Sequence, residues 1–390
     1  MNSNGVLSIA GKAAAIANRA AAALSATAWL FTLSAPALSA PALPAAGKDH
    51  AASKHYTLPA TPDNVQWGWY DVKEKPKLTI NSGDTVSIET LSHSLGKIKP
   101  GVPMEEIVRL RKANPGGGPH SITGPIFVEG AEPGDTLEIH ILKIVPNKDA
   151  FNFNIPGKEF PTVGQLASEF PEGFVRYYKL DLDRMQTQFK PGIVIDLKPF
   201  PGTFAVGVDP DEPAAKAGPA IHDAQGRTST LRPWKNGSNM DVNELQAGST
   251  LYLPVFQKGG LIWTGDSHCR QGNGEVNLTA LECSYKEIEI QPIVRKDLKT
   301  EWPRAENKTY WVFMGFDEDL NQAMKIAVEQ TVGWLSSQTI VPMSREEAYA
   351  LTSIVGDCRV SQVVDIRKGV HCMIPKSIFV NRRTGESHEH

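Results

Sequence analysis

Little in this sequence is in excess. Its 40 Lys and Arg stand against 43 Asp and Glu, a formal charge of −3 over 390 residues. Such a balance supplies no global basic field, so no nucleic-acid partner is expected. Cysteine is scarce: Cys269, Cys283, Cys358 and Cys372 are all there are, and none sits in a CxxC or zinc-finger spacing. Disulfides and buried free thiols both stay open, because spacing alone assigns no pairing. There is no Gly-x-Ser-x-Gly elbow, no His-Glu-x-x-His helix and no Walker phosphate loop, so the serine-hydrolase, zincin and P-loop signatures are missing. The apolar run of residues 21–33 is too short to span a bilayer comfortably.

That same run has the length of an export-signal core. Lys12 and Arg19 precede an acid-free stretch, Ala20 to Ala46, which holds two small-x-small sites, Ala35-Pro36-Ala37 and Ala40-Pro41-Ala42. The pattern predicts a secretory signal cut between Ala37 and Ala46, hence a periplasmic or secreted protein with no membrane association once the signal is removed. The competing reading is an Ala/Pro tail or an over-extended start. The rest has ordinary globular composition, 41% hydrophobic and 21% charged over the whole chain. We expect a signal and linker over 1–46, an N-terminal β domain over 47–205, a central β region over 206–300, an α+β region over 301–380 and a polar tail over 381–390.

The 28 prolines and 33 glycines predict many turns and short elements. One pattern repeats. Asn81-Ser82-Gly83-Asp84-Thr85, Glu132-Pro133-Gly134-Asp135-Thr136 and Ala247-Gly248-Ser249-Thr250 are Gly-centred turns, each leading into an alternating strand. This predicts a mainly β fold of sandwich or barrel layers, with Asp84 and Asp135 as turn formers. Helices are expected over Pro103–Lys112, over Asp319–Leu335 behind an Asp cap, and from Ser344 to Val355 behind a Ser344/Glu347 capping box. The C-terminal part is therefore α+β.

Four polar, glycine-rich blocks can carry chemistry: 118–132 with His120 and Glu129, 199–209, 237–241 with Asn239 and Asp241, and 265–275 with Asp266, His268 and Glu275. Asp266 and His268 are spaced i, i+2, which on an extended chain puts both side chains on one face, able to share a cation. The alternative is an ordinary loop. Glu129 follows an apolar strand. Facing inward, it is a carboxylate that needs a metal or a donor; facing outward, it is merely solvated. Asn239 and Asp241 can equally form an Asx turn. Trp67, Trp69 and Tyr70 either pack a core or line a pocket.

In order, these blocks resemble the acetamidase/formamidase family. The resemblance runs from about residue 54 to 380. It rests on Thr61-Pro62 to Gly68, Pro76 to Val86, the 118–139 stretch, Pro199-Phe-Pro-Gly-Thr, Gly237-Ser-Asn-Met-Asp, Gly259-Gly-Leu-Ile-Trp-Thr-Gly-Asp-Ser-His, Gln271-Gly-Asn-Gly-Glu-Val, Thr279-Ala-Leu-Glu, Ser361-Gln-Val-Val-Asp and Lys368 to Lys376. It implies hydrolysis of a short linear amide of the formamide or acetamide type, a divalent metal (zinc or calcium) and a homo-oligomer. Carried onto this chain, His120, Asp241, Asp266 and His268 hold the metal, Glu129 or Glu275 is the base, and Asn239 donates to the oxyanion. Two stretches depart from the family pattern: Ser267 and Cys269 stand where Gly and Ala are usual, and Ser238 stands where Gly is usual. Both add bulk, which leaves room for a larger amide or a carbamate as substrate. Two rivals are a secreted β-sandwich binding protein that grips a ligand through Trp67 and Trp69, and a thiol mechanism on Cys283.

Overall fold

A computed structural model describes residues 53–216 and 220–380. The expected signal with its linker and the expected tail fall outside these residues. Two large sheets dominate. One has nine strands in the order His55–Leu58, Thr85–Ile88, Tyr285–Arg295, Thr136–Pro146, Thr250–Pro254, Arg304–Glu306, Tyr310–Asp317, Lys368–Pro375 and Asp357–Gln362. Strands from all three expected body segments thus share one sheet. The other has ten strands and carries the polar blocks. Phe200–Ala205 and Ser121–Glu129 both pair with Ile262–Arg270, which continues through Leu281–Cys283 to Asp149–Asn154.

The repeated turns do what their residues predict. Gly83, Gly134 and Gly248 have φ of 90°, 90° and 88°, a left-handed region that glycine enters without steric cost. Asp84 accepts from the backbone N–H of Lys54 and Asn81 at 2.8 and 2.9 Å. Asp135 accepts from Glu132 N–H at 3.0 Å and from Lys296 Nζ at 2.6 Å. After Asp135 the chain alternates, with Leu137, Ile139 and Ile141 buried and Glu138 and His140 half-buried. These side chains join Val86, Ile88, Leu251, Leu253, Ile288 and Ile290, and Phe200, Phe204 and Ile262 from the ten-stranded sheet, in one core between the sheets. Burying each such side chain is worth roughly 1.5–3 kcal/mol.

Helices lie where the caps place them. Met104–Ala113 opens with Glu105 and Glu106 and closes with Arg111 and Lys112. Leu320–Ser337 starts at Asp319, whose carboxylate accepts from the N–H groups of Asn321 and Gln322. Arg345–Val355 has a full capping box, with Ser344 N–H donating to Glu347 at 2.7 Å and Glu347 N–H to Ser344 Oγ at 3.2 Å. The expected mainly β architecture with helices towards the C-terminus is what the structure has. No helix among the described residues is long and apolar enough to cross a membrane.

The four cysteines form two cross-strand bonds, Cys269–Cys283 and Cys358–Cys372. Cys283 is therefore not a free nucleophile, which removes the thiol rival. Trp69 is buried, with its indole N–H on Asn114.

Candidate active site

Strand Ile262–Arg270 is the spine of the site. It is buried from Ile262 to Cys269, so the 265–269 block is strand interior rather than a loop. Asp266 sits in it at φ 50°, and Asp241 and Glu275 are also left-handed, at 53° and 46°. Such backbone costs energy in non-glycine residues and is tolerated where packing imposes it, commonly at functional sites. Phe200–Ala205 runs alongside, and Gly202 forms a floor. A Cβ there would lie 2.5 Å from His268, 2.7 Å from Asp266 and 2.8 Å from Asp241. Only glycine leaves room for those three side chains to converge.

His120, Asn239, Asp241, Asp266, His268 and Glu275 are all buried and gathered here. Glu129 is not among them. It is exposed at the end of strand Ser121–Glu129, so it takes the outward option and supplies no buried base. Three further residues join that the sequence did not single out. His93 Nε2 lies 2.8 Å from Asp266 Oδ1 and 3.1 Å from Glu282 Oε2. Glu282 Oε1 lies 3.4 Å from His268 Nε2. Asp365 Oδ2 accepts from Asn239 Nδ2 at 2.8 Å.

His93 is brought in by a left-handed turn, Ser94 at φ 55° and Leu95 at φ 58°. Ser121 pins that turn: its hydroxyl donates to the Ser92 carbonyl at 2.7 Å and accepts from Leu95 N–H at 2.8 Å. No sequence period signals such a turn. Glu282 follows His268 across the sheet as its register partner, a pairing that needs the topology. Asp365 belongs to the 361–365 stretch that carried the family resemblance, yet stands there without a motif.

The charges are unbalanced in favour of acids. Asp241, Asp266, Glu275, Glu282 and Asp365 face His93, His120 and His268. Burial disfavours the charged form of His93, but Glu282 and Asp266 outweigh it and push the ring up to about 10. Burial also opposes the charge on Asp266, yet His120, His268 and His93 hold it well below the usual carboxylate range. Burial, reinforced by neighbouring acids, drives Asp241 and Glu275 well above that range, and burial with Asp266 lifts Asp365 to about 8. Carboxyls that keep protons because they crowd each other are groups from which a divalent cation displaces those protons.

The donor atoms fit such a cation. Thr230 Oγ1 donates to the Gly117 carbonyl at 3.0 Å and so accepts from His120 Nδ1 at 2.9 Å. That leaves His120 Nε2 as a bare lone pair, 3.8 Å from Asp266 Oδ2, while burial holds the ring neutral by pushing it down to about 4. Two lone pairs facing each other in a dry site call for a cation between them. Both Asp241 carboxylate oxygens and His268 Nδ1 are buried without a hydrogen-bond partner. Three overlapping sets have ligand atoms within 4.8 Å of one another: His93/His120/Asp266, Asp241/His268/Glu275 and Asp266/His268/Glu282.

Above them lies a small pocket walled by Ile98, Ile107, Phe153, Ile155, Leu231 and Leu278, with Arg111 at one side. It leaves about 40 Å³ to the centre of a water-sized molecule. One water needs roughly 10–15 Å³ by this measure, so the space suits a ligand of a few heavy atoms.

Comparison with known proteins agrees with this picture. The profile of the Acetamidase/Formamidase family matches residues 69–217 and 214–381. The chain is 26% identical over 207 residues to an acetamidase of Mycolicibacterium smegmatis, covering 40% of this chain and 49% of that one. It is 30% identical over 207 residues to a formamidase of Methylophilus methylotrophus, covering 44% and 51%. It therefore spans about half the length of these curated relatives in the matched region. The crystal structure of an acetamidase from Yersinia enterocolitica superposes with a TM-score of 0.72 at 26% identity, covering 85% of this chain and 94% of that one.

Proposed function

This chain belongs to the acetamidase/formamidase family, and from that premise we propose that it is a metal-dependent amidase that hydrolyses a small linear amide to a carboxylate and ammonia. The observation that carries this reading is the convergence of buried His, Asp and Glu side chains, with unsatisfied ligand atoms, on one small pocket.

His93, His120 and Asp266 would hold a divalent cation, with His268, Glu282 and Asp241 adjoining. Of zinc and calcium, the imidazole donors favour zinc. Such a cation, when bound, supplies Lewis acidity that polarises an amide carbonyl and acidifies water. The remaining work falls to the chain. Glu275 lines the pocket; it takes the proton of the attacking water and returns it to the nitrogen as the C–N bond breaks. Asn239 spends one amide hydrogen on Asp365 and has the other for the developing oxyanion. Thr230 fixes the His120 tautomer, and Thr203 Oγ1 donates to Asn239 Oδ1 at 2.9 Å, which orients that amide.

Export to an oxidising compartment is part of the same proposal, supported by two disulfides. So is a homo-oligomer, supported by Tyr349 and Ile354, which stand 64% and 78% exposed on one helix.

The test is ammonia release from formamide, acetamide and a panel of larger amides, before and after chelation and metal re-addition. Activity that falls on chelation and returns with one metal is expected. A folded, metal-loaded protein inactive on every amide would sink the reading. Asp266→Ala should abolish both metal retention and turnover; retained turnover in the folded variant removes Asp266 from the site.

A further inference from the structure

Helix Met104–Ala113 turns Ile107 and Arg111, one helical turn apart, towards the pocket. Arg111 is half-buried, and part of its surface lines the cavity. Two other interior arginines are matched. Arg232 and Arg367 both pair with Glu212. Arg111 has no such match: among the described residues its guanidinium makes no ion pair and no hydrogen bond. The acid that acts on it through space is Asp365, whose Oδ2 is already engaged by Asn239. An interior guanidinium is costly to leave unpaired, and its planar fork is shaped to take a carboxylate through two parallel bonds. At the last turn of its helix it also benefits from the dipole, which explains why the cation is tolerated there but not why it faces the cavity.

Resting on the amidase reading above, we propose that Arg111 binds a carboxylate on the acyl side of the substrate, so that the preferred amides are half-amides of short dicarboxylic acids. A cavity of this size favours the shortest spacers, a carbon or two. The reaction is balanced by water alone: the amide C–N bond breaks, a C–O bond forms, nitrogen leaves as ammonia and the product is a dicarboxylate.

The experiment compares malonamate and succinamate with the neutral amides propionamide and butyramide on the metal-loaded full chain, in wild type, Arg111→Met and Arg111→Lys. In wild type, kcat/KM should favour the carboxylate-bearing amides. In Arg111→Met that preference should fall by about 10- to 100-fold, the size of a charged hydrogen-bond pair, and Arg111→Lys should recover part of it. Calorimetric binding of succinate against butyrate gives a readout without turnover, and should show the same dependence on Arg111. Hydrolysis of neutral amides with no carboxylate preference, or a preference that survives Arg111→Met, overturns the inference and leaves the amidase reading intact. Arg111-dependent succinate binding with no amide hydrolysed overturns the amidase reading and keeps the carboxylate site.

Discussion

Thr230 occupies both faces of its hydroxyl, giving its hydrogen to Gly117 and taking one from His120. Thr230→Val keeps the shape and removes the acceptor, so His120 can then protonate at either nitrogen. Metal affinity should fall about 10- to 100-fold, the usual cost of losing such a partner, with the fold unchanged; titration with zinc against a competing chelator measures it. At this scale the sequence was partly legible. Asp266 and His268 could be picked out because their spacing has a meaning on any extended chain. Glu129 stayed open between inward and outward for the opposite reason. The strand before it is buried at nearly every position, so there was no alternation from which to tell inside from outside. His93 depends on a left-handed turn held by Ser121, and no local pattern announces that.

Among elements, the caps and turns were the most readable features, because they close hydrogen bonds within a few residues. The 344/347 box and the Asp319 cap needed no knowledge of the fold. Strand partners did. Cys269 and Cys283 directly follow His268 and Glu282, which face each other across the sheet. Their bond ties the two strands beside the site, and Cys269 is one of the departures from the family pattern. Replacing both with alanine should lower metal affinity by about tenfold, an order-of-magnitude expectation for a loosened supporting shell. The Cys358→Ala/Cys372→Ala pair is the control for disulfide loss elsewhere; an equal effect would refute the link. The strands carrying that second bond also bury His371, whose Nδ1 meets Ser361 Oγ at 2.8 Å. Burial, with Arg359 nearby and only Asp357 opposing, pushes its ring from 6.5 down to about 4. Between those values the unfolded chain binds the extra proton, so this stabilisation is complete above pH 6.5 and is lost as pH falls towards 4. The loss amounts to about 3 kcal/mol, and His371→Gln should flatten that part of a urea-denaturation pH profile.

Across the whole molecule, the site is assembled from residue 93 to residue 365, with candidate ligands spread from His93 to Glu282. A cation held there binds only the folded chain. It should stabilise that chain by about 4 kcal/mol at a thousandfold excess over its Kd. Chelation should therefore lower the thermal midpoint as well as the activity, and scanning calorimetry with and without metal reads both in one sample. The long-range assembly is also why Glu282 and Asp365 escaped the sequence: each sits in a stretch whose local character is ordinary, and it takes the sheet register for Glu282, and the 363–367 connection between two strands for Asp365, to make it a neighbour.

Gly202 gives this architecture a practical handle. The missing methyl group is all that separates the converged ligands from a blocked floor, and its backbone lies in ordinary strand conformation. Gly202→Ala would fill the floor while leaving every ligand side chain and the pocket walls in the sequence. Such a silent twin, alike in every ligand yet unable to gather them, is the matched blank for each metal and turnover measurement.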